Sequence, residues 1–174
     1  MVIVRKEKFN SEKSIQYISD KAEKTENKSG MEDLKLGAAI DIGTTSIAVG
    51  LFDMENEVLL GNLTQTNCQT KFGSDVMMRI MHCTNGKEQL LHDMLIEQIE
   101  NIITVIIEQN ISEKYKSYVV ERMTVVGNTT MCHIFLNRDV MGLSGAPFSM
   151  AYKGIANVNS QEVGFKIYNR SDVK

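Results

Sequence analysis

Cysteine is scarce in this chain: three in 174 residues, at Cys68, Cys83 and Cys132, odd in number and far apart. That spacing writes neither a disulfide framework nor a Cys-x-x-Cys metal clamp, so reduced thiols are the expectation. A basic excess is lacking too. Net charge is −3 and the lysines and arginines gather into no stripe, which removes the electrostatic footprint that nucleic acid or an anionic membrane requires. No apolar segment of signal-peptide type follows the basic start, and the apolar run around Ile99 to Ile107 is broken by Glu100, Asn101 and Thr104. Neither a secretory signal nor a membrane span is therefore expected, and the chain reads as cytoplasmic. Triplets such as Asn110-Ile111-Ser112 then carry no weight as glycosylation sites. What the chain does have is enough apolar residue, 43% against 24% charged, to build one soluble domain with a core.

Composition divides the chain in three. Residues 1–35 are rich in lysine and glutamate, with few apolar residues beyond Val2 to Val4 and the Ile15, Tyr17, Ile18 group, and are expected to form a loosely attached polar arm or linker. Residues 36–150 hold the regular patterns. Residues 151–174 read as a short C-terminal stub.

The most informative pattern runs from Ala38 to Asp53: two apolar strands joined by Asp41-Ile42-Gly43-Thr44-Thr45-Ser46. Valine, isoleucine, leucine and phenylalanine on both sides favour strands, and Gly43 lets backbone N–H groups approach a ligand without a Cβ in the way. Thr44, Thr45 and Ser46 can donate hydroxyls to phosphate oxygens, and Asp41 can hold Mg²⁺ through its waters. Such a turn makes a small anion nest, although the same residues in an ordinary hairpin would satisfy only their own backbone.

The period-two alternation of Ile47, Val49 and Leu51 predicts a strand covered on both faces, and a third strand from about 58 to 65 completes an antiparallel meander. A helix is expected to open with Ser74 as N-cap and Asp75 in its first turn, and to stop at Asn85-Gly86. A longer helix from about 87 to 109 carries Leu90/Leu91, Met94/Leu95, Ile99, Ile102/Ile103 and Ile106/Ile107 as one buried stripe. Met123 to Val126 reads as a buried strand ending in Gly127-Asn128-Thr129-Thr130, and Met131 begins another helix. That strand-to-helix junction is a second place where an anion or nucleotide could dock, or where Asn128 or Thr129 simply caps the helix. His82-Cys83 and Cys132-His133 hold metal-ligand residue types, but neighbours on a helix point about 100° apart, so buried thiols beside partly exposed imidazoles are expected instead. Met77, Met78 and Met81 are expected in the core. The fold class that follows is α/β: a ribonuclease-H-like lobe with a three-stranded antiparallel meander, further strand and packed helices.

Four blocks in order then carry a resemblance: Ala39-Ile40-Asp41-Ile42-Gly43-Thr44-Thr45, Phe72-Gly73-Ser74-Asp75-Val76, Val126-Gly127-Asn128-Thr129-Thr130-Met131 and Gly145-Ala146-Pro147-Phe148. The chain resembles the ASKHA superfamily of sugar and acetate kinases, heat-shock ATPases and actins, and within it the ATP-dependent reductive activators of corrinoid proteins. The resemblance implies ATP and Mg²⁺ as cofactors, Asp41 as the catalytic residue that orients the hydrated metal, and Gly43, Thr44, Thr45, Ser46, Gly127, Asn128, Thr129 and Thr130 as phosphate and nucleotide contacts. It also implies a corrinoid protein as partner, whose Co(II) is returned to Co(I). In the family the electron comes from a plant-type [2Fe–2S] domain. No cysteine precedes Cys68 here, so this chain holds no such cluster and the resemblance implies a separate iron–sulfur electron donor. The family's cleft lies between two lobes, of which this chain looks like one. Two alternatives stay open at this point: a truncated, non-catalytic binding module of the same fold, or a lobe of a small-molecule kinase.

Overall fold

The computed structural model describes residues 1–5, 34–111, 117–151, 154–166 and 169–170. Seven strands form one mixed sheet: β1 (Val2–Arg5), β2 (Leu34–Ile42), β3 (Ser46–Asp53), β4 (Val58–Thr66), β5 (Tyr118–Gly127), β6 (Ala156–Asn159) and β7 (Asn169–Arg170). Their order is β4-β3-β2-β5-β1-β6, with β7 pairing the start of β5. The expected meander is present, β2 to β3 to β4, antiparallel throughout. The long segment between β4 and β5 then brings β5 back parallel to β2, the crossover that a ribonuclease-H-like lobe requires.

Helices α1 (Val76–His82), α2 (Glu88–Asn110), α3 (Thr129–Phe135) and α4 (Ser160–Val163) complete the fold. On α2, Leu91, Leu95, Ile99, Ile102, Ile103, Ile106 and Ile107 are buried as the four-residue spacing predicts, and they pack against β3 and β4. Leu90 departs from that stripe: it is exposed. The other side of the core comes from alternate residues of the strands, among them Leu36, Ile40 and Ile42 of β2, Ile47, Val49 and Leu51 of β3, and Val120, Met123 and Val125 of β5. Burying each such side chain contributes about 1.5–3 kcal/mol, so the sheet–α2 contact supplies the rigidity on which the turns at the sheet's end depend.

Several expectations need correction. The α1 N-cap is Asp75, whose carboxylate accepts from Met78 N–H at 2.8 Å; Ser74 lies outside in an exposed bend. β3 is covered fully on one face only, since Ala48, Gly50 and Phe52 are half-buried. Met77 and Met81 are exposed on α1, because the helix turns Arg79 and Ile80 inward instead. His133 is wholly buried rather than partly exposed. The arm expected over 1–35 differs at its start: Val2 is fully buried and β1 lies between β5, to which it is antiparallel, and β6, to which it is parallel. Four residues that pair with a strand on either side gain a complete hydrogen-bond ladder, which outweighs their polar neighbourhood in sequence. The Ile15, Tyr17, Ile18 group lies outside the described residues. No helix among the described residues is long and apolar enough to cross a membrane.

Candidate functional site

β2 and β5 run side by side in parallel, with Asp41 opposite Val126 and Ile42 opposite Gly127. Both end at the same level. The two polar turns that the sequence separates by more than eighty residues therefore meet at the carboxyl ends of adjacent parallel strands, the position where open α/β sheets place their ligands. Gly127 makes this closeness possible. A Cβ on it would lie 2.6 Å from Ile42 Cγ1 and 2.8 Å from the Ile42 carbonyl oxygen, so any other residue would push the two strand ends apart.

The turn after β2 is built from outside itself. Gly43 N–H donates to Ser46 O at 2.9 Å and closes it, and a Cβ on Gly43 would meet the same carbonyl at 2.8 Å. Each intervening carbonyl is held by a donor from the segment after β4. Asn67 Nδ2 donates to Gly43 O at 2.8 Å, Arg79 Nη2 to Thr44 O at 3.1 Å, and Asn67 N–H to Thr45 O at 2.8 Å. A trans peptide sets its C=O and N–H on opposite sides. Holding these three carbonyls therefore aims the N–H groups of Thr44, Thr45 and Ser46 away from Asn67 and Arg79. N–H groups left outward by a turn in this way are the groups from which an anion nest is made. Thr45 and Ser46 are exposed and Thr44 half-buried, and Asp41, exposed at the end of β2, stands beside them.

Asn67 and Arg79 escaped the sequence analysis as turn-builders. Asn67 is completely buried, with its Oδ1 accepting from Gln69 N–H at 2.9 Å. The 3₁₀ segment that follows it, Cys68–Phe72, is fastened to α2: Cys68 N–H donates to Gln98 Oε1, Gln69 Nε2 to Leu91 O, and Gln98 Nε2 to Thr66 O. The turn thus inherits the rigidity of the core. Arg79 is fully buried, donates also to Gly73 O through Nη1, and leaves its Nε without a partner. Burial draws its pKa below the ordinary guanidinium value, against the pull of nearby Asp75.

The turn after β5 is satisfied from within. Asn128 caps α3, its Oδ1 accepting from Met131 N–H at 3.0 Å, and its own carbonyl takes Cys132 N–H. Thr129 O accepts from His133 Nδ1 at 2.7 Å, and Cys132 Sγ lies 3.5 Å from Gly127 O. Gly127, Asn128 and Thr129 are exposed, whereas Thr130 is buried. His133 Nε2 accepts from Ala151 N–H at 3.2 Å, so both ring nitrogens are engaged with backbone. Cys83 and Cys132 are buried; burial, with Glu88 nearby, pushes the Cys83 thiol up to about 11. The fourth block, Gly145 to Phe148, lies exposed beyond α3.

A family model described as the RACo middle region matches residues 36–174. The chain belongs to that family. It is 34% identical over 114 residues to the corrinoid activation enzyme RamQ of Eubacterium limosum, a match covering 64% of this chain and 19% of that protein. A solved structure described as the reductive activator for corrinoid, iron–sulfur protein superposes with a TM-score of 0.69 at 31% identity, covering 79% of this chain and 22% of that one. This RACo-family chain therefore spans about a fifth of the length of the relatives it matches, and the α/β fold and family resemblance drawn from its four blocks both stand.

Proposed function

We propose that this chain is the nucleotide-binding lobe of an ATP-driven activator that assists one-electron reduction of corrinoid Co(II) to Co(I). The observation that supports the reading best is the turn at Gly43–Ser46, whose Gly43, Thr44 and Thr45 carbonyls are held by Asn67 and Arg79. A turn that only reversed the chain would not need that external support. Its outward N–H groups and the Thr44, Thr45 and Ser46 hydroxyls suit the oxygens of a transferred phosphoryl group, where preorganised donors stabilise developing charge.

The residues also fit a hydrated metal. Asp41 is an exposed carboxylate one residue from the end of β2, a position from which it would hold Mg²⁺ through water. When bound, Mg²⁺ would neutralise phosphate charge. Gly127 and Thr129 would form the second wall, with Asn128 acting as the helix cap that fixes it. No side chain of this chain attacks phosphorus in this scheme; its residues bind, orient and polarise. The electron comes from a separate iron–sulfur donor. The corrinoid partner is inferred from what the relatives are described as activating. With no long apolar helix among the described residues, the proposed setting is the cytoplasm.

Complementing this chain with the remaining segments of the corrinoid activation enzyme tests the reading. ATP hydrolysis and the cobalt absorption change should then proceed together, and Asp41→Ala should remove most of both. If Asp41→Ala leaves both intact, the assignment fails.

A further inference from the structure

Arg79 is the one fully buried guanidinium among the described residues; none of them forms an ion pair with it, its Nε has no hydrogen-bond partner, and Asp75, whose charge favours it, is engaged as the α1 N-cap. A buried cation without a directly paired carboxylate is expensive, and structures that keep one usually complete the pair with another group. Its two hydrogen bonds go to backbone carbonyls, of Gly73 and Thr44. The second of these belongs to the Thr44–Thr45 peptide, whose N–H faces out of the turn. Guanidinium, carbonyl, peptide and N–H thus lie in one hydrogen-bonded series, in which each member polarises the next.

We propose that Arg79 is a positioning and polarising residue for a nucleoside triphosphate: its charge is relayed through the Thr44–Thr45 peptide to the Thr45 N–H, and the bound phosphate completes the charge balance of a buried guanidinium that has no direct ion pair. This rests on the reading of the Gly43–Ser46 turn as a phosphate site. Asn67 fixes two carbonyls of the turn by neutral bonds, so it supplies shape. Arg79 adds the charge. The neutral donors alone would accept a phosphate or a neutral hydroxylated ligand alike, whereas the relay favours the more highly charged one.

Two substitutions separate charge from shape. Arg79→Gln keeps an amide donor and removes the charge, while Arg79→Lys keeps the charge and loses the planar fork. Titrated into the 174-residue chain, MgATP should bind the Gln variant about tenfold more weakly than the parent and the Lys variant within about threefold of it. The unliganded thermal midpoint of the Gln variant should fall, because one amide cannot hold both the Gly73 and Thr44 carbonyls, so the affinities are compared well below that midpoint. Equal losses in both variants, or no loss in either, would overturn the relay while leaving the phosphate site in place. Failure of the parent chain to bind MgATP would overturn the phosphate site as well. Should the Gln variant not fold, the parent decides: the Arg79 Nε–H resonance should move during MgATP titration and stay fixed in adenosine, and a resonance that ignores MgATP overturns the proposal.

Discussion

The Gly43–Ser46 turn has its carbonyls held by Asn67 and Arg79, residues of another segment, whereas in Gly127–Thr129 the carbonyls and the Asn128 side chain are taken up by α3 itself. The two turns have similar compositions, glycine followed by hydroxyl and amide side chains, and they meet at the ends of paired strands. Their polar groups are nevertheless spent differently. A turn whose carbonyls are claimed from outside must direct its N–H groups the other way, while a junction that satisfies itself has fewer groups left to offer. The first keeps outward N–H groups that suit the proposed binding surface, and the second caps a helix and sets spacing.

The strongest way to break that comparison is to separate the turns. Gly127→Val would drive a side chain into Ile42 and its carbonyl, and should cost about 3 kcal/mol or more in chemical denaturation, with loss of MgATP binding. Removing external support from the first turn is milder. Asn67→Ala leaves the Gly43 carbonyl and Gln69 N–H without their buried partner and should cost about 2 kcal/mol, with weaker MgATP binding in the folded fraction. The matching change in the second turn sharpens the contrast. Asn128→Ala removes a helix cap and should cost about 1 kcal/mol while MgATP affinity holds; an equal affinity loss at Asn67 and Asn128 would erase the distinction drawn here. Smallest of all, Thr45→Val should leave the thermal midpoint unchanged and weaken MgATP binding a few-fold, about the worth of one hydroxyl hydrogen bond.

How much of this was legible in the sequence follows from how local each feature is. The meander declared itself through the alternation of Ile47, Val49 and Leu51, α2 through its four-residue apolar spacing, and the break at Asn85-Gly86 through residues that leave helical angles, Gly86 at φ +79°. The Asp41 to Ser46 motif was visible because its chemistry is contiguous. Asn67 and Arg79 were not, since their role exists only once β4 and α1 have folded beneath a turn more than twenty residues away. Nothing in the neighbours of Arg79 signals that it will turn inward while Met77 and Met81 take the outside. β1 was hidden for a related reason: a four-residue strand gains its identity from β5 and β6, which lie far along the chain. Likewise, the burial of His133 depends on the Ala151 N–H that reaches its Nε2.

The Gly43–Ser46 turn, and not the Gly127–Thr130 junction, is the face proposed to grip phosphate. Residue-resolved amide shifts of the 174-residue chain during MgATP titration test it directly. Partial contacts from one lobe should give binding around the millimolar level, worth about 4 kcal/mol. The Thr44, Thr45 and Ser46 N–H signals should move most and saturate together, with smaller changes at Gly127 and Thr129 and none at Met131, whose N–H is bound to Asn128 Oδ1. Shifts that are largest at Asn128 to Met131 while Thr44 to Ser46 stay still would contradict it.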